Sequence, residues 1–169
     1  GTAIQGFLHP LLGVDHLLAM LTVGMLSAQM GGRAIWTVPL TFVLVMGAAG
    51  VAGFLGVPLP FVERGIALSV VVLGTALVAD QRVPEGVAMI FVGLFASFHG
   101  HAHGAELGTV RGAMDVVAYV LGFMVATAGL HVVGALLGFI ALRSARGSLR
   151  LRLAGVPIAA IGMYLLAGV

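Results

Sequence analysis

Long apolar runs, separated by short charged or proline-containing stretches, make up almost the whole chain. There are six, at approximately 10–30, 34–56, 61–79, 84–103, 114–142 and 151–169. A helix of about 21 residues, rising 1.5 Å per residue, is roughly 31 Å long, which matches the hydrocarbon core of a bilayer. The pattern therefore predicts an all-α integral membrane protein, a single domain over residues 1–169 built as a bundle of six transmembrane helices.

The composition fits a membrane location and excludes several other classes of protein. Of 169 residues, 60% are hydrophobic and 8% are charged, whereas a soluble domain has about 25% charged residues. The chain contains no cysteine and no lysine, which excludes disulfides, thiolate metal sites and a Walker A nucleotide site. Half of the arginines lie within 143–152, where they suit anionic lipid headgroups. We expect membrane lipids as partners and no nucleic acid.

The arginines are divided unequally between the connections of the predicted bundle. The second and fourth connections hold one each, Arg64 and Arg111. The first, third and fifth hold the other six: Arg33, Arg82, Arg143, Arg146, Arg150 and Arg152. By the positive-inside rule the odd connections are cytoplasmic, so both termini should lie outside the cytoplasm. The chain starts at Gly1 rather than at an initiator methionine, so we expect a removed leader or a trimmed chain.

The first polar motif, "HPLLGVDH", extends from His9 to His16. Pro10 suits the first turn of a helix, where its missing N–H would have no partner in any case. On one continuous helix the two histidines are about 20° apart around the axis, with Asp15 one position further round. Asp15 is then well inside the first span, where an ionised carboxylate is costly. The unfavourable free energy of placing this carboxylate inside the membrane suggests that Asp15 has a functional role.

The second motif, "FASFHGHAHGAE", covers residues 95–106 at the end of the fourth apolar run. His99, His103 and Glu106 fall at i, i+4 and i+7 and so share one face of a helix. On a regular helix His101 points the opposite way. The two glycines of the motif leave open a local unwinding that would turn His101 inward.

The predicted topology brings the two motifs to the same membrane depth. The first span starts at the outer side and the fourth span ends there, so we expect His16 and His99 to lie close together in one site. Neutral imidazoles and carboxylates without sulfur suit Ni²⁺, Co²⁺ or Zn²⁺. Mg²⁺ or Ca²⁺ would require more oxygen ligands. A divalent transition metal is therefore the expected ligand.

Simpler interpretations apply to some of the polar residues. His131 stands alone within "ATAGLHVVG", where a hydrogen-bonded structural histidine and a functional one fit the sequence equally well. For His101 and Glu106, a solvated helix end is the main alternative to a ligand role. The glycines and the scattered methionines are best interpreted as helix-packing residues.

The two motifs together resemble a known family. His-x5-Asp-His, followed by "LLAMLTVGMLSAQ", resembles the start of the HupE/UreJ family of hydrogenase and urease accessory membrane proteins. "FHGHAHGAE", residues 98–106, is similar to the family's second signature, Phe-His-Gly-x-Ala-His-Gly-x-Glu, at every fixed position. "ATAGLHVVG" is similar to its fifth span. The resemblance implies six transmembrane helices, a cleaved leader, a bacterial inner-membrane location and uptake of nickel, or of cobalt in some members.

The resemblance also implies a set of metal residues. Carried over to this sequence, they are His9, Asp15, His16, His99, His103, Glu106 and His131. We therefore expect a permease for Ni²⁺, with Co²⁺ or Zn²⁺ as alternative cargo, whose site is formed by the first and fourth helices. We expect neither an enzyme nor a catalytic cofactor. The sequence is compatible with a monomer or a homo-oligomer.

Two other functions are compatible with the same residues. An intramembrane zinc-dependent hydrolase could hold Zn²⁺ through His99 and His103, with Asp15, Ser97 and Glu106 nearby to activate a water. Haem could be bound by two histidines that face each other at one depth. A colourless purified protein would exclude the haem hypothesis.

Overall fold

The computed structural model describes residues 2–109 and 112–169, and it contains seven α-helices and no β-strand within those ranges. The helices are α1 (Thr2–Leu12), α2 (Val14–Met30), α3 (Ala34–Phe54), α4 (Val62–Ala79), α5 (Glu85–Glu106), α6 (Ala113–Leu142) and α7 (Gly147–Ala167). A 3₁₀ turn, Leu107–Thr109, follows α5. The all-α prediction is confirmed. Arg111, used in the arginine count, lies outside the described residues.

The first predicted span is wrong in its start and in its continuity. A helix already begins at Thr2, and it breaks at Gly13 into α1 and α2, which differ in direction by 81°. Gly13 has extended backbone angles (φ −88°, ψ 116°), so it ends one helix and starts the next. Pro10 lies near the end of α1 rather than in a first turn. The other five predicted spans correspond to α3–α7, with ends that differ by a few residues.

Four helices are long and apolar enough to cross a membrane among the residues that the structure describes. They are α3, α4, α6 and α7, and the bent pair α1–α2 would be a fifth if it forms one broken span. Helix α5 is not in this set, because its histidines and glutamates lower its mean hydropathy. The structure indicates a multi-pass membrane protein, and six crossing helices stay a prediction.

Glycines allow the helices to pack at close distance, as the sequence predicted. Helix α5 packs mainly on α3, α7 on α4, and α1 and α2 on α6. A Cβ atom on Gly100 would clash with the carbonyl oxygen of Met46, and one on Gly104 with the carbonyl oxygen of Gly50. Both glycines are therefore needed for contact between α5 and α3. The helix continues through both, so the local unwinding does not occur.

Polar side chains are buried within the mainly apolar core of the bundle, and many large apolar side chains are exposed on its surface. The buried polar side chains are His16, Thr22, Ser27, Thr37, Ser69, His99, Thr127 and His131. Large apolar side chains such as Leu12, Trp36 and Ile90 are exposed. An apolar surface of this extent is unfavourable in water and favourable in lipid. The distribution therefore agrees with a protein that sits in a bilayer.

Candidate metal-binding site

Three side chains from the two motifs form a group with the geometry of a metal site, here called the His9 group: His9, His103 and Glu106. One ligand atom from each lies within 4.8 Å of the others. His9 Nε2 is 3.2 Å and His103 Nδ1 is 3.6 Å from Glu106 Oε2. The side chains of His9 and Glu106 are 37% and 57% exposed, so both lie at the surface of the bundle.

Below the His9 group lie two fully buried histidines, here called the buried pair: His16 of α2 and His99 of α5. Their Nδ1 atoms are 3.1 Å apart, and their side chains are 1% and 0% exposed. The His103 ring is 5.1 Å from the His16 ring between centroids. His103 therefore belongs to the His9 group and also contacts the buried pair. The structure thus brings the two motifs together.

The bend at Gly13 explains how His9 and His16 approach the same histidine. Helix α1 packs along α6, where a Cβ atom on Gly6 would clash with the carbonyl oxygen of Tyr119. The His9 ring lies 4.7 Å from the His103 ring between centroids. The chain then turns by 81°, so His16 approaches His103 from a different direction than His9 does. The predicted alignment of His9 and His16 on one helix is wrong.

Histidines of both motifs surround an aromatic ring on α6. The ring centroid of Phe123 lies 4.5 Å from that of His103 and 5.0 Å from that of His16. Aromatic walls lower the local dielectric constant, which strengthens the interaction between a cation and its ligands. Phe123 therefore forms an apolar wall beside His103 and His16.

His131 lies on the same face of α6, eight residues after Phe123. At 1.5 Å per residue this places it about 12 Å further along the helix. Its ring makes an edge-on contact with Phe42, which in turn contacts the His99 ring. The His131 side chain is 2% exposed, and neither ring nitrogen has a hydrogen-bond partner among the described residues. Such a buried polar side chain is costly, which favours a functional role over a purely structural one.

Asp15 differs in position from the prediction. It lies in the first turn of α2, at the bend, rather than well inside a continuous span. Its Oδ1 accepts a hydrogen bond of 2.7 Å from the backbone N–H of His16, which satisfies a donor that a helix start leaves unpaired. Asp15 is not part of the group of three potential ligands, and it contacts His16 through the backbone.

His101 points away from the other histidines of its motif. Its Nε2–H donates a hydrogen bond of 2.6 Å to the carbonyl oxygen of Val57, which follows the end of α3. The expectation for a regular helix therefore holds. The serine of the hydrolase hypothesis, Ser97, donates its hydroxyl to Gly93 of its own helix at 3.0 Å.

Sequence reasoning missed two buried hydroxyl residues that contact the buried pair. Thr127 Oγ1 is 3.2 Å from His16 Nε2, and Ser69 Oγ is 2.9 Å from His99 Nε2. Thr127 lies four residues before His131, on the same face of its helix, so helical spacing from His131 could have identified it. Ser69 lies on α4, which carries no polar motif, and no sequence signal pointed to it.

The end of the bundle opposite the histidine motifs contains a cavity of about 830 Å³. Its walls come from the end of α2, the start of α3, the end of α4 and the start of α5. Apolar residues such as Val38 and Phe95 line its inner part, and charged residues lie at its rim, among them Arg33, Asp80 and Glu85. The cavity and the histidines therefore occupy opposite halves of the same interhelical space.

Comparison with known proteins agrees with the motifs. The profile of the protein family described as "HupE / UreJ protein" matches residues 1–165. A curated relative, "Protein HupE" of Rhizobium leguminosarum bv. viciae, is 45% identical over 166 residues, which are 98% of this chain and 84% of the relative. No solved structure matches the chain.

Proposed function

Because the chain belongs to the HupE/UreJ protein family, whose members are accessory or transport proteins rather than enzymes, we propose that it is a permease for divalent transition metals. Its proposed cargo is Ni²⁺, with Co²⁺ as the alternative. The observation that carries the proposal is the convergence of His9, His103 and Glu106 next to two buried histidines. We further propose that six helices cross the bacterial inner membrane, with α1 and α2 as one broken span.

The ligand chemistry supports a borderline transition metal. Two imidazoles and one carboxylate form the His9 group, and sulfur is absent from it. Such a set suits Ni²⁺, Co²⁺ or Zn²⁺ better than Mg²⁺ or Ca²⁺. Three protein ligands leave further coordination positions to water, so an ion can bind and leave again. Transport requires this moderate affinity, because an ion that is bound too tightly does not move on.

The order of the histidines along the bundle suggests a path. A hydrated ion would first exchange waters for ligands of the His9 group, then pass to His16 and His99, and then to His131. The large cavity at the other end would provide the exit. The sequence contains no lysine and so no Walker A motif, and the driving force would come from the ion gradient, the membrane potential or capture of the ion inside the cell. A divalent ion gains about 4.6 kcal/mol per 100 mV, twice the value for one charge.

The rival functions have less support. Family membership excludes the hydrolase hypothesis, and the hydroxyl of Ser97 is bonded to its own helix. Haem between His16 and His99 would require a porphyrin plane between their rings. Their Nδ1 atoms are at hydrogen-bond distance, 3.1 Å, which leaves no space for one.

Metal binding should weaken as the pH falls, because histidine ligands must be neutral to coordinate. Imidazole in water titrates near pH 6.5, so protons compete with the metal below that pH. We expect Ni²⁺ to bind at pH 7.5 and to bind at least about tenfold more weakly at pH 5.5. Calorimetric titration of the purified protein with NiCl₂ measures the affinity at both pH values, and MgCl₂ serves as the control. Equal affinity at the two pH values, or equal affinity for Mg²⁺, would contradict a histidine-based site.

The arginine distribution predicts where the C-terminus lies. With both termini outside the cytoplasm, alkaline phosphatase fused after Val169 should be active and green fluorescent protein at the same position should be dark. The His9 group would then face the outside, as uptake requires. If the green fluorescent protein fusion were fluorescent and the phosphatase fusion inactive, the orientation would be the reverse of the predicted one. Export would then be the better hypothesis.

A further inference from the structure

Four buried side chains from four helices form one hydrogen-bonded row across the centre of the bundle. Thr127 Oγ1 lies 3.2 Å from His16 Nε2, His16 Nδ1 lies 3.1 Å from His99 Nδ1, and His99 Nε2 lies 2.9 Å from Ser69 Oγ. Each of the four side chains is at most 1% exposed. Every ring nitrogen of the buried pair therefore has a partner within the row.

The direction of the hydrogen bonds follows from Ser69. Its hydroxyl also lies 2.6 Å from the carbonyl oxygen of Ile66, and a carbonyl can only accept, so the single hydroxyl hydrogen of Ser69 points there. His99 must then donate from Nε2–H to Ser69, and a neutral His99 has a bare Nδ1 that accepts from His16 Nδ1–H. A neutral His16 in turn has a bare Nε2, which accepts from the hydroxyl of Thr127.

In this arrangement the buried pair has no lone pair available for a cation. The Nδ1 atom of His16 carries a hydrogen, and the Nδ1 lone pair of His99 accepts that hydrogen. An ion held between the two rings needs the lone pairs of both Nδ1 atoms. The His16–His99 hydrogen bond is thus a closed contact, and a change of tautomer at His16 is required to open it.

Thr127 is suited to such a change. Four other helical threonines donate their hydroxyls to the carbonyl oxygen four residues earlier: Thr22, Thr37, Thr41 and Thr75. The hydroxyl of Thr127 is directed to His16 instead. If its hydrogen turned to the preceding helical turn, as in the other four, Oγ1 would become an acceptor for a His16 Nε2–H.

We propose that Ser69 and Thr127 are positioning residues which set the tautomers of the buried pair and allow it to switch from a closed contact to a metal-accepting one. On arrival of a hydrated cation, water from its hydration shell takes the hydrogen from His16 Nδ1 and returns one to Nε2, so the number of protons on the pair does not change. Thr127 turns from donor to acceptor, while Ser69 keeps the Nδ1 of His99 free. The metal-accepting state rests on the proposed function. The direction of the hydrogen bonds in the metal-free row does not depend on it.

Nitrogen-15 NMR of histidine-labelled protein in detergent tests the direction of the row without metal. We expect His16 to carry its hydrogen on Nδ1 and His99 on Nε2, with the signals assigned from the spectra of His16→Gln and His99→Gln variants. The reverse pattern in the metal-free protein, with His16 protonated on Nε2, would overturn the proposal.

Titration of the same protein with Zn²⁺, a diamagnetic probe, tests the switch. We expect the His16 signal to convert to the Nε2–H tautomer as Nδ1 becomes a ligand. Thr127→Val should raise the Zn²⁺ concentration needed for this conversion about tenfold to a hundredfold, the usual effect of losing a partner that orients a ligand. Thr127→Ser, which keeps the hydroxyl, should restore the wild-type value.

Matched variants separate this role from a general effect of removing a buried hydroxyl. Thr22 is fully buried and its hydroxyl donates to the carbonyl oxygen of Leu18 in its own helix, so Thr22→Val should leave the conversion unchanged. Ser69→Ala should weaken Zn²⁺ binding at the pair. Ser27→Ala, which removes a buried hydroxyl that donates to the carbonyl oxygen of Gly24, should not.

Two outcomes would overturn different parts of the account. If Thr127→Val and Thr22→Val gave the same Zn²⁺ titration as the wild type, the switch would be wrong while the proposed function could stand. If the wild type bound no Zn²⁺, Ni²⁺ or Co²⁺ at all, the proposed function would fail and the switch with it. The tautomers of the metal-free protein would still decide the direction of the row.

Discussion

Replacing His103 by alanine should abolish Ni²⁺ uptake, with a loss of at least about a hundredfold in initial rate. His103 lies next to Glu106 and His9 and also contacts the His16 ring. The substitution therefore removes a ligand of the His9 group and the contact that leads to the buried pair. The measurement is the initial rate of uptake by cells that produce the variant, normalised to the amount of protein in the membrane.

His101→Ala is the matched control for this experiment. It removes the same side chain from the same helix, two positions away, but His101 donates to the carbonyl oxygen of Val57 and is not part of the group of three potential ligands. We expect uptake to stay within about threefold of the wild type, because one hydrogen bond to a carbonyl contributes about 1 kcal/mol. A variant of His101 as inactive as that of His103 would show that the motif acts only through the fold of α5.

Asp15→Asn should reduce uptake by about tenfold or more while the fold stays intact. Asparagine keeps an oxygen that can accept from the backbone N–H of His16, as Asp15 does at 2.7 Å, and asparagine is a good residue at a helix start. What it loses is the negative charge in the first turn of α2, one residue before His16, which would favour a poorly solvated divalent cation near the histidines. Uptake and circular-dichroism melting of the same membrane preparation measure the two effects separately.

Asp15→Ala separates the charge of Asp15 from its hydrogen bond. Alanine removes both, so a loss of uptake with alanine but not with asparagine would assign Asp15 a structural role at the start of α2 and contradict its place among the metal residues. Equal losses in both variants, with unchanged melting, agree with a role of the charge.

The pairing of the two motifs could be predicted from the sequence because it depends on features that do not require tertiary detail. Arginine counts predicted the directions of the spans, and helical spacing predicted that His99, His103 and Glu106 share a face. His16 and His99 do lie in contact. Both steps need only the regular geometry of a helix and the thickness of a bilayer.

The bend at Gly13 and the position of Asp15 could not be predicted in the same way. A glycine and a proline within an apolar run are tolerated inside membrane helices as well as at breaks, so the sequence alone does not distinguish a continuous span from a broken one. The break depends on the packing of α1 against α6, through glycines whose contacts are far apart in sequence. For the same reason no sequence signal pointed to Ser69, since its histidine partner lies on another helix.

The most direct test of the permease proposal is uptake of radioactive Ni²⁺ by proteoliposomes that contain only the purified protein, with an inside-negative potential set by potassium and valinomycin. We predict accumulation that requires the potential. Co²⁺ should inhibit it, excess Mg²⁺ should not, and the His103→Ala variant should not accumulate Ni²⁺. Absence of accumulation in vesicles whose wild-type protein is shown to be folded and to bind Ni²⁺ would contradict the permease proposal.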